Sequence, residues 1–242
     1  MARAEPRSHS SGFERWKQGI DQADKEWDSH DAQVKSAVQD YAQHLHATAP
    51  GYPGLDWRLV KSMLWVETGA KDPAWKVRPM QIGSPHDPGL GALLGKTEGG
   101  WLILPPSYRL SESAVRSIAR ENIKAGIGYL LMKMASFAVR TVMDADSRTY
   151  EVSVAAGDSL DRIARLNGST VDVLLELNPA AGRSLRPGQV LSLKKASTRK
   201  VIAGWKYLDV TNIALYYNGG GDSLYAKKLR YAWEVVRKGT RL

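Results

Sequence analysis

The chain has no cysteine among its 242 residues. That excludes disulfides, thiolate nucleophiles and any cysteine-ligated zinc site. No apolar run approaches ~18 residues, so no transmembrane helix is expected. Met1 to Gly12 is polar and lacks an apolar h-region, so no cleaved secretory signal is expected either. Phenylalanine is scarce, with two residues against eight Trp and ten Tyr. Trp and Tyr pair a flat apolar face with a hydrogen-bonding tip, which suits stacking on sugars or bases as well as core packing.

What is abundant is positive charge. The formal net charge is +9, which favours an anionic partner: nucleic acid, a membrane surface or an acidic wall polymer. No nucleic-acid recognition motif accompanies it. Hydrophobic content of 43% and charged content of 24% describe a folded protein of one large or two smaller domains.

Residues 1–11 read as a disordered tail. Gly12 to about His46 is helical, with a break near Asp28–Asp31. Its second half presents Val34, Ala37, Val38, Tyr41 and Leu45 on one face. His44 and His46 read as solvated helix-end residues, since further metal ligands have no visible place. After the turn-rich Ala49–Gly54, apolar residues at Leu59, Val60, Met63, Leu64 and Val66 predict a helix capped by Asp56. A lone carboxylate, Glu67, stands on its last turn before Gly69. Partial desolvation there would raise its pKa and make it a candidate general acid; an ordinary surface Glu is the other reading. Lys71 to Gly100 is an irregular Gly/Pro-rich stretch holding Arg78-Pro79-Met80-Gln81-Ile82-Gly83, His86 and Asp87, and a loop this long is more often functional than not. Residues 111–140 read as one long helix, with Gly126 allowing close packing. Residues 144–149 and 194–200 read as linkers.

Tyr150 to Lys195 changes character. Tyr150–Val154 alternates like a strand, Gly157-Asp158-Ser159 is a turn and helix cap, and Leu160, Ile163, Ala164 and Leu166 follow at helical spacing. Thr170 caps a second helix with Val173, Leu174 and Leu177. Asn178-Pro179 ends it, and Leu185–Leu193 is a turn and closing strand. Val201 to Leu242 returns to helix, interrupted by Tyr216–Asp222.

This β-α-α-β unit resembles a LysM module. The carriers are Tyr150-x-Val152, Gly157-Asp158-Ser159-Leu160, Ile163-Ala164, Leu174, Leu177-Asn178-Pro179 and Leu185-x-Pro187-Gly188-Gln189-x-Leu191, all in the family's order. The resemblance implies binding of N-acetylglucosamine-containing glycans by Gly157, Asp158, Ser159, Asn178 and Pro179. Helix capping is the competing role for Asp158 and Asn178.

The flanks resemble the soluble lytic transglycosylases. Four blocks stand in that family's order: Trp65–Gly69 around Glu67; Met80-Gln81-Ile82; Asn122-Ile123-x-x-Gly126-x-x-Tyr129-Leu130; and Tyr217-Asn218-Gly219-Gly220 followed by Tyr225-Ala226-x-x-Leu229. Thr68 stands where the family has Ser, and Arg78-Pro79 replaces Gly-Leu. The resemblance implies an α+β architecture: a mainly helical lysozyme-like domain, residues 12–143 with 199–242, and an inserted LysM domain, residues 149–196. It further implies Glu67 as acid and then base, Tyr217 beside it as the second catalytic residue, and Thr68, Met80, Gln81, Asn218 and Tyr225 as substrate-binding. The substrate would be the β-1,4 bond between N-acetylmuramic acid and N-acetylglucosamine, opened to a 1,6-anhydro end. Arg78 and Lys76 would add positive charge near the cleft. Two other readings stay open: a goose-type hydrolase with Asp72 or Asp87 as second carboxylate, and a non-catalytic wall-binding protein. The expected partners are peptidoglycan glycan strands and, for a secreted antibacterial effector, a secretion-apparatus component and an immunity protein. A phage-associated lysin is the other delivery route. No cofactor, metal, nucleic acid or membrane span is expected, and the protein is expected to be a monomer. It is expected to be made in the cytoplasm and to act in the periplasm or cell wall.

Overall fold

The computed structural model describes residues 12–239; the expected N-terminal tail, 1–11, lies outside the described residues. The architecture is α+β, largely helical with small two-stranded sheets. The described residues divide into two compact units, one formed by residues 12–136 and 202–239, the other by Phe137–Val201.

The first unit begins with α1 (Gly12–Asp21), a 3₁₀ turn (Lys25–Asp28) and α2 (Asp31–Thr48). Next comes α3 (Trp57–Glu67), whose start is fixed by the Asp56 carboxylate accepting from the Arg58 N–H at 2.8 Å. That is the capping role read from the sequence. Its end is fixed by Gly69 at φ +76°, where a Cβ would come within 3.1 Å of the Trp27 ring. Lys61 is buried in mid-helix and pairs with Asp28 and, at 2.9 Å, Asp31. A buried ammonium is tolerated only when paired in this way, so the pairs pin α3 to the segment before it. Trp27, Trp65 and Trp75 pack edge-on and tilted around the same end.

The stretch read as irregular holds three short elements: a 3₁₀ turn (Pro73–Lys76), α4 (Gly89–Leu94) and α5 (Gly100–Ile103). The long helix expected over 111–140 is instead α6 (Glu112–Ser117), α7 (Ala119–Met134) and the strand β1 (Ala135–Met143). The first break is at Ile118, whose backbone is extended (φ −126°, ψ 113°). It frees the Val115 carbonyl, which accepts from the Asn122 side-chain amide at 2.9 Å. The second break follows composition, because Val139, Thr141 and Val142 are β-branched and favour a strand.

Helix α7 is buried on nearly every face and packs against α2, α4, α5, α6 and α10 (Val210–Tyr216). It tolerates such crowding through Gly126 and Gly128. A Cβ at Gly126 would sit 2.6 Å from Met80 Cβ, and one at Gly128 would sit 2.4 Å from the Tyr41 hydroxyl. The last helix, α11 (Tyr225–Gly239), packs along α3.

In the second unit β2 (Thr149–Ser153) pairs antiparallel with β3 (Val190–Lys194), Tyr150 opposite Leu193 and Val152 opposite Leu191. Between them run α8 (Leu160–Leu166), capped by Ser159, and α9 (Val171–Leu177), capped by Thr170. Val154, Ile163, Ala164, Leu174, Ala181, Leu191 and Leu193 make a small closed core. The stretch 194–200, read as a linker, lies largely in β4 (Ala196–Trp205), which pairs with β1.

Candidate functional site

A cavity of about 330 Å³ opens in the first unit. Four stretches of chain far apart in sequence line it: Glu67; Met80, Gln81, Ile82, Asp87 and Pro88; Tyr129 and Lys133; and Tyr216 to Gly219. All four sequence blocks of the flanks contribute to it.

Glu67 ends α3, so its backbone sits at the negative pole of the helix. Burial pushes its carboxyl up to about 7; the hydrogen bond from Tyr225 works against that rise, and the charges of Asp87 and Asp222 add to it. The Tyr225 hydroxyl donates to Glu67 Oε1 at 2.7 Å. Burial also pushes the Tyr225 and Tyr217 phenols well up, so both stay protonated as donors. Near neutral pH the carboxyl therefore holds or yields a proton with little cost, the condition an acid–base catalyst needs.

Tyr217 lines the cavity, but its hydroxyl donates to the Met80 carbonyl at 3.2 Å, and its ring packs edge-on against Tyr129 with centroids 5.6 Å apart. Tyr225, expected among the substrate-binding residues and as a second hydroxyl near Glu67, is the tyrosine that holds Glu67. The Thr68 hydroxyl turns away to the loop: it donates to the Pro79 carbonyl at 2.9 Å and accepts from Gln81 Nε2 at 3.0 Å. Gln81 takes a left-handed backbone (φ +55°), uncommon for a residue with a side chain. The Ser84 hydroxyl, bonded to the Gln81 carbonyl at 2.7 Å, and the Thr68 contact fasten it there. Such strain persists only where surrounding bonds over-determine it.

Met80 is buried, 1% exposed, and packs on Gly126. Its N–H donates to Asn122 Oδ1 at 2.9 Å, while Asn122 Nδ2 donates to the Ile82 and Val115 carbonyls, both at 2.9 Å. Asn122 is fully buried and carries the whole loop floor, a role its motif position did not reveal. Asn218, with its amide oxygen turned to the N–H groups of Gly221 and Asp222 (3.2 and 3.1 Å), organises the turn through Gly219 (φ +63°) and Gly220 (φ +80°). It also lines the cavity.

Of the two carboxylates considered as partners for Glu67, Asp87 lines the cavity and Asp72 does not. Asp87 is clamped by the N–H groups of Gly83 (2.7 Å) and Gly89 (2.8 Å). Asp72 caps the 3₁₀ turn over Pro73–Lys76 through the Ala74 N–H. His86 is exposed, with φ +67°. The cation lining the cavity is Lys133, which the sequence reading did not single out; Lys76 and Arg78 do not line it. His44 bonds the Leu102 carbonyl at 3.2 Å, and His46 packs on Tyr52. Among the described residues no group of three or more His, Asp or Glu side chains could hold a metal ion.

In the second unit the candidate glycan contacts fall into two kinds. Gly157 (φ +81°), Ser159 and Pro179 are exposed. Asp158 and Asn178 are committed internally. The Asp158 carboxylate accepts from the Ala155 N–H at 2.8 Å and closes the turn. Asn178 donates to the Leu174 and Ser192 carbonyls (2.9 and 2.6 Å) and accepts from the Ser192 N–H at 2.9 Å, so its amide stitches the end of α9 to β3.

Residues 152–194 match the family model described as LysM domain. This match supports a peptidoglycan-binding module over this stretch. Neither curated proteins nor solved structures give a match to the chain. The LysM match begins within β2 and ends within β3, so it takes in the whole of the small core. Among the described residues no helix is long and apolar enough to cross a membrane.

Proposed function

We propose that the protein is a peptidoglycan lytic transglycosylase. The observation that carries this reading is the Glu67 carboxyl, its pKa near 7, hydrogen-bonded by Tyr225 in a tyrosine-walled cavity. A chain that also carries a peptidoglycan-binding module supplies the substrate class. Most glycosidases use two carboxylates. Here Glu67 serves twice. As general acid it protonates the leaving glycosidic oxygen. It then takes the proton from the C6 hydroxyl of the N-acetylmuramic acid unit as that oxygen bonds to C1, leaving a 1,6-anhydro end and consuming no water. Tyr225 fixes the carboxyl and tempers its pKa, and the ring of Tyr217 walls the sugar site. Lys133 supplies positive charge toward an acidic strand. The site of action is the cell wall or periplasm, where peptidoglycan lies. A delivered antibacterial effector or a lysin of phage origin is the setting that suits such an enzyme, and an effector would meet a cognate immunity protein.

One observation favours a second reading. Asp87 shares the cavity with Glu67, and a second carboxylate able to activate water would make the enzyme a hydrolase. Digestion of purified peptidoglycan by wild type and Glu67→Gln decides between them. Anhydromuropeptides lost in the variant support the transglycosylase. Reducing ends lost in both Glu67→Gln and Asp87→Asn move the protein to the hydrolases. Absence of products with wall binding retained leaves a binding protein.

A further inference from the structure

A second groove in the first unit is larger than the Glu67 cavity. It has a volume of about 980 Å³ and lies at the other end of α3, where Trp57 and Arg58 begin the helix. Trp57 is ten residues from Glu67 along α3, about 15 Å at the helical rise. The groove is walled by the half-buried indoles of Trp57 and Trp233, with Lys35, Gln39, Asp56 and Arg58 as its polar lining.

The cations in and beside it are held on the indoles. Lys35 Nζ lies 4.2 Å from the Trp57 ring centroid, and the Arg58 and Arg237 guanidiniums lie 5.9 and 5.4 Å from that of Trp233. Cation–π attraction orders such side chains without neutralising them. Arg58 is spoken for: it forks onto the Asp56 carboxylate, with its closest contact at 2.7 Å. Lys35 and Arg237 are exposed and enter no ion pair among the described residues. The groove thus offers one open lining cation, Lys35, over flat apolar walls, with Arg237 beside it on the Trp233 indole and its one lining carboxylate, Asp56, already occupied.

We propose that this groove binds a second stretch of peptidoglycan glycan through its carboxylates, with the indole edges packing against sugar rings. Two facts choose glycan over other polyanions. The same chain carries a peptidoglycan-binding module, and two sites for one polymer reinforce each other through effective concentration. A groove of this size also falls in the range of sites that enclose a ligand of several rings. The carboxylates could be those of the lactyl ethers or of the stem peptides. The proposal does not depend on Glu67 being catalytic.

All eight tryptophans lie outside Phe137–Val201, and none lines the Glu67 cavity. Indole fluorescence therefore ignores direct contacts made by the LysM module. The test uses the full chain with Glu67→Gln, titrated with peptide-free glycan strands, stem-bearing strands, a neutral N-acetylglucosamine hexamer and a single-stranded oligonucleotide. A saturable fluorescence change with acidic strands and not with the hexamer is expected. The response to peptide-free strands against stem-bearing ones assigns the carboxylate. Lys35→Ala and Arg237→Ala, both at exposed positions and so safe for folding, should each weaken the response about tenfold, the size of one charge-assisted contact. Trp57→Phe should remove most of the signal while wall pull-down through the module persists. An equal response to the neutral hexamer, or no loss in either cation variant, overturns the proposal. So does stronger binding of the oligonucleotide, which would make the groove a nucleic-acid site. Wild-type digestion is scored separately: binding without cleavage would keep this site and sink the transglycosylase, and cleavage without the fluorescence response would do the reverse.

Discussion

The two units hold their functional residues in opposite ways. In the LysM module the closed core and the turn residues come from one run of under fifty residues. Its strands are neighbours in a single antiparallel ladder. In the first unit, Glu67 meets Tyr225 across 158 positions, and Tyr217 reaches Met80 across 137. A module of local contacts is cheap to close and leaves a contiguous signature, whereas a site drawn from distant segments must meet the larger entropy of loop closure. Its parts are correspondingly buried and cross-braced: Asn122, Lys61 and Gly126 all serve the positioning of the Glu67 helix or the Met80 loop.

The largest expected effect is chemical. Glu67→Gln keeps the shape and hydrogen bonding of the site but cannot exchange a proton. Turnover of peptidoglycan should fall by about 10²–10⁴-fold, the range general acid–base catalysis supplies. Sedimentation with insoluble wall, expected of the LysM module, should not change. A loss of wall binding together with turnover would break the separation of the two units' roles.

Next comes stability, where the units offer matched buried amides. Asn122→Ala strands the Met80 N–H and the Ile82 and Val115 carbonyls; Asn178→Ala strands the Ser192 N–H and carbonyl, while the Leu174 carbonyl keeps the Asn178 backbone N–H. Each buried group left unpaired costs about 1–3 kcal/mol, with water entry recovering part of it. A net loss of about 3 kcal/mol is expected for Asn122→Ala and about 2 kcal/mol for the half-buried Asn178, read from denaturant unfolding. Indole fluorescence should report the first and stay silent to the second, since the LysM module contains no tryptophan.

The same contrast explains what the sequence disclosed. The LysM elements were legible because caps and turns are local chemistry: Ser159 and Thr170 each cap the helix they precede, and Gly157 takes the positive φ that its turn requires. The α3 boundary was legible for the same reason, through Asp56 and Gly69. Strand β1 was not, because its helical reading ran on from the strong period of α7, although Val139, Thr141 and Val142 argued against it. Nor was the division of labour among tyrosines. Position in a motif could nominate both Tyr217 and Tyr225, but which hydroxyl reaches Glu67 depends on how α11 lies along α3. Lys133 was missed because a lone lysine on a buried helix carries no signal until the cavity it lines is known.

A smaller and more diagnostic effect follows from the raised Glu67 pKa. A carboxyl near 7 in the folded state, against about 4.5 in the unfolded chain, binds more protons when folded. Folding stability must then fall as pH rises from about 4.5 through 7, by up to about 3 kcal/mol. Glu67→Gln removes that dependence. The variant should be more stable than wild type above pH 7, and the gap should close below pH 4.5. Calorimetry across that range checks it, and parallel curves would mean the carboxyl is well solvated.

The smallest effect separates the two tyrosines. The bond from Tyr225 lowers the Glu67 pKa against a burial that raises it. Tyr225→Phe removes only the hydroxyl, so the carboxyl should move further up and the alkaline limb of the activity profile should shift to higher pH. Turnover at low pH would fall by less than in Glu67→Gln, since the acid itself remains. Tyr217→Phe should leave that limb where it is, because its hydroxyl is spent on the Met80 carbonyl, and should act through the loop instead by raising KM. If the limb moved with Tyr217 and not with Tyr225, the phenol that governs the proton would be the one at the cavity wall. The bond between α11 and α3 would then be scaffold, no different in kind from the Asn178 stitch in the module.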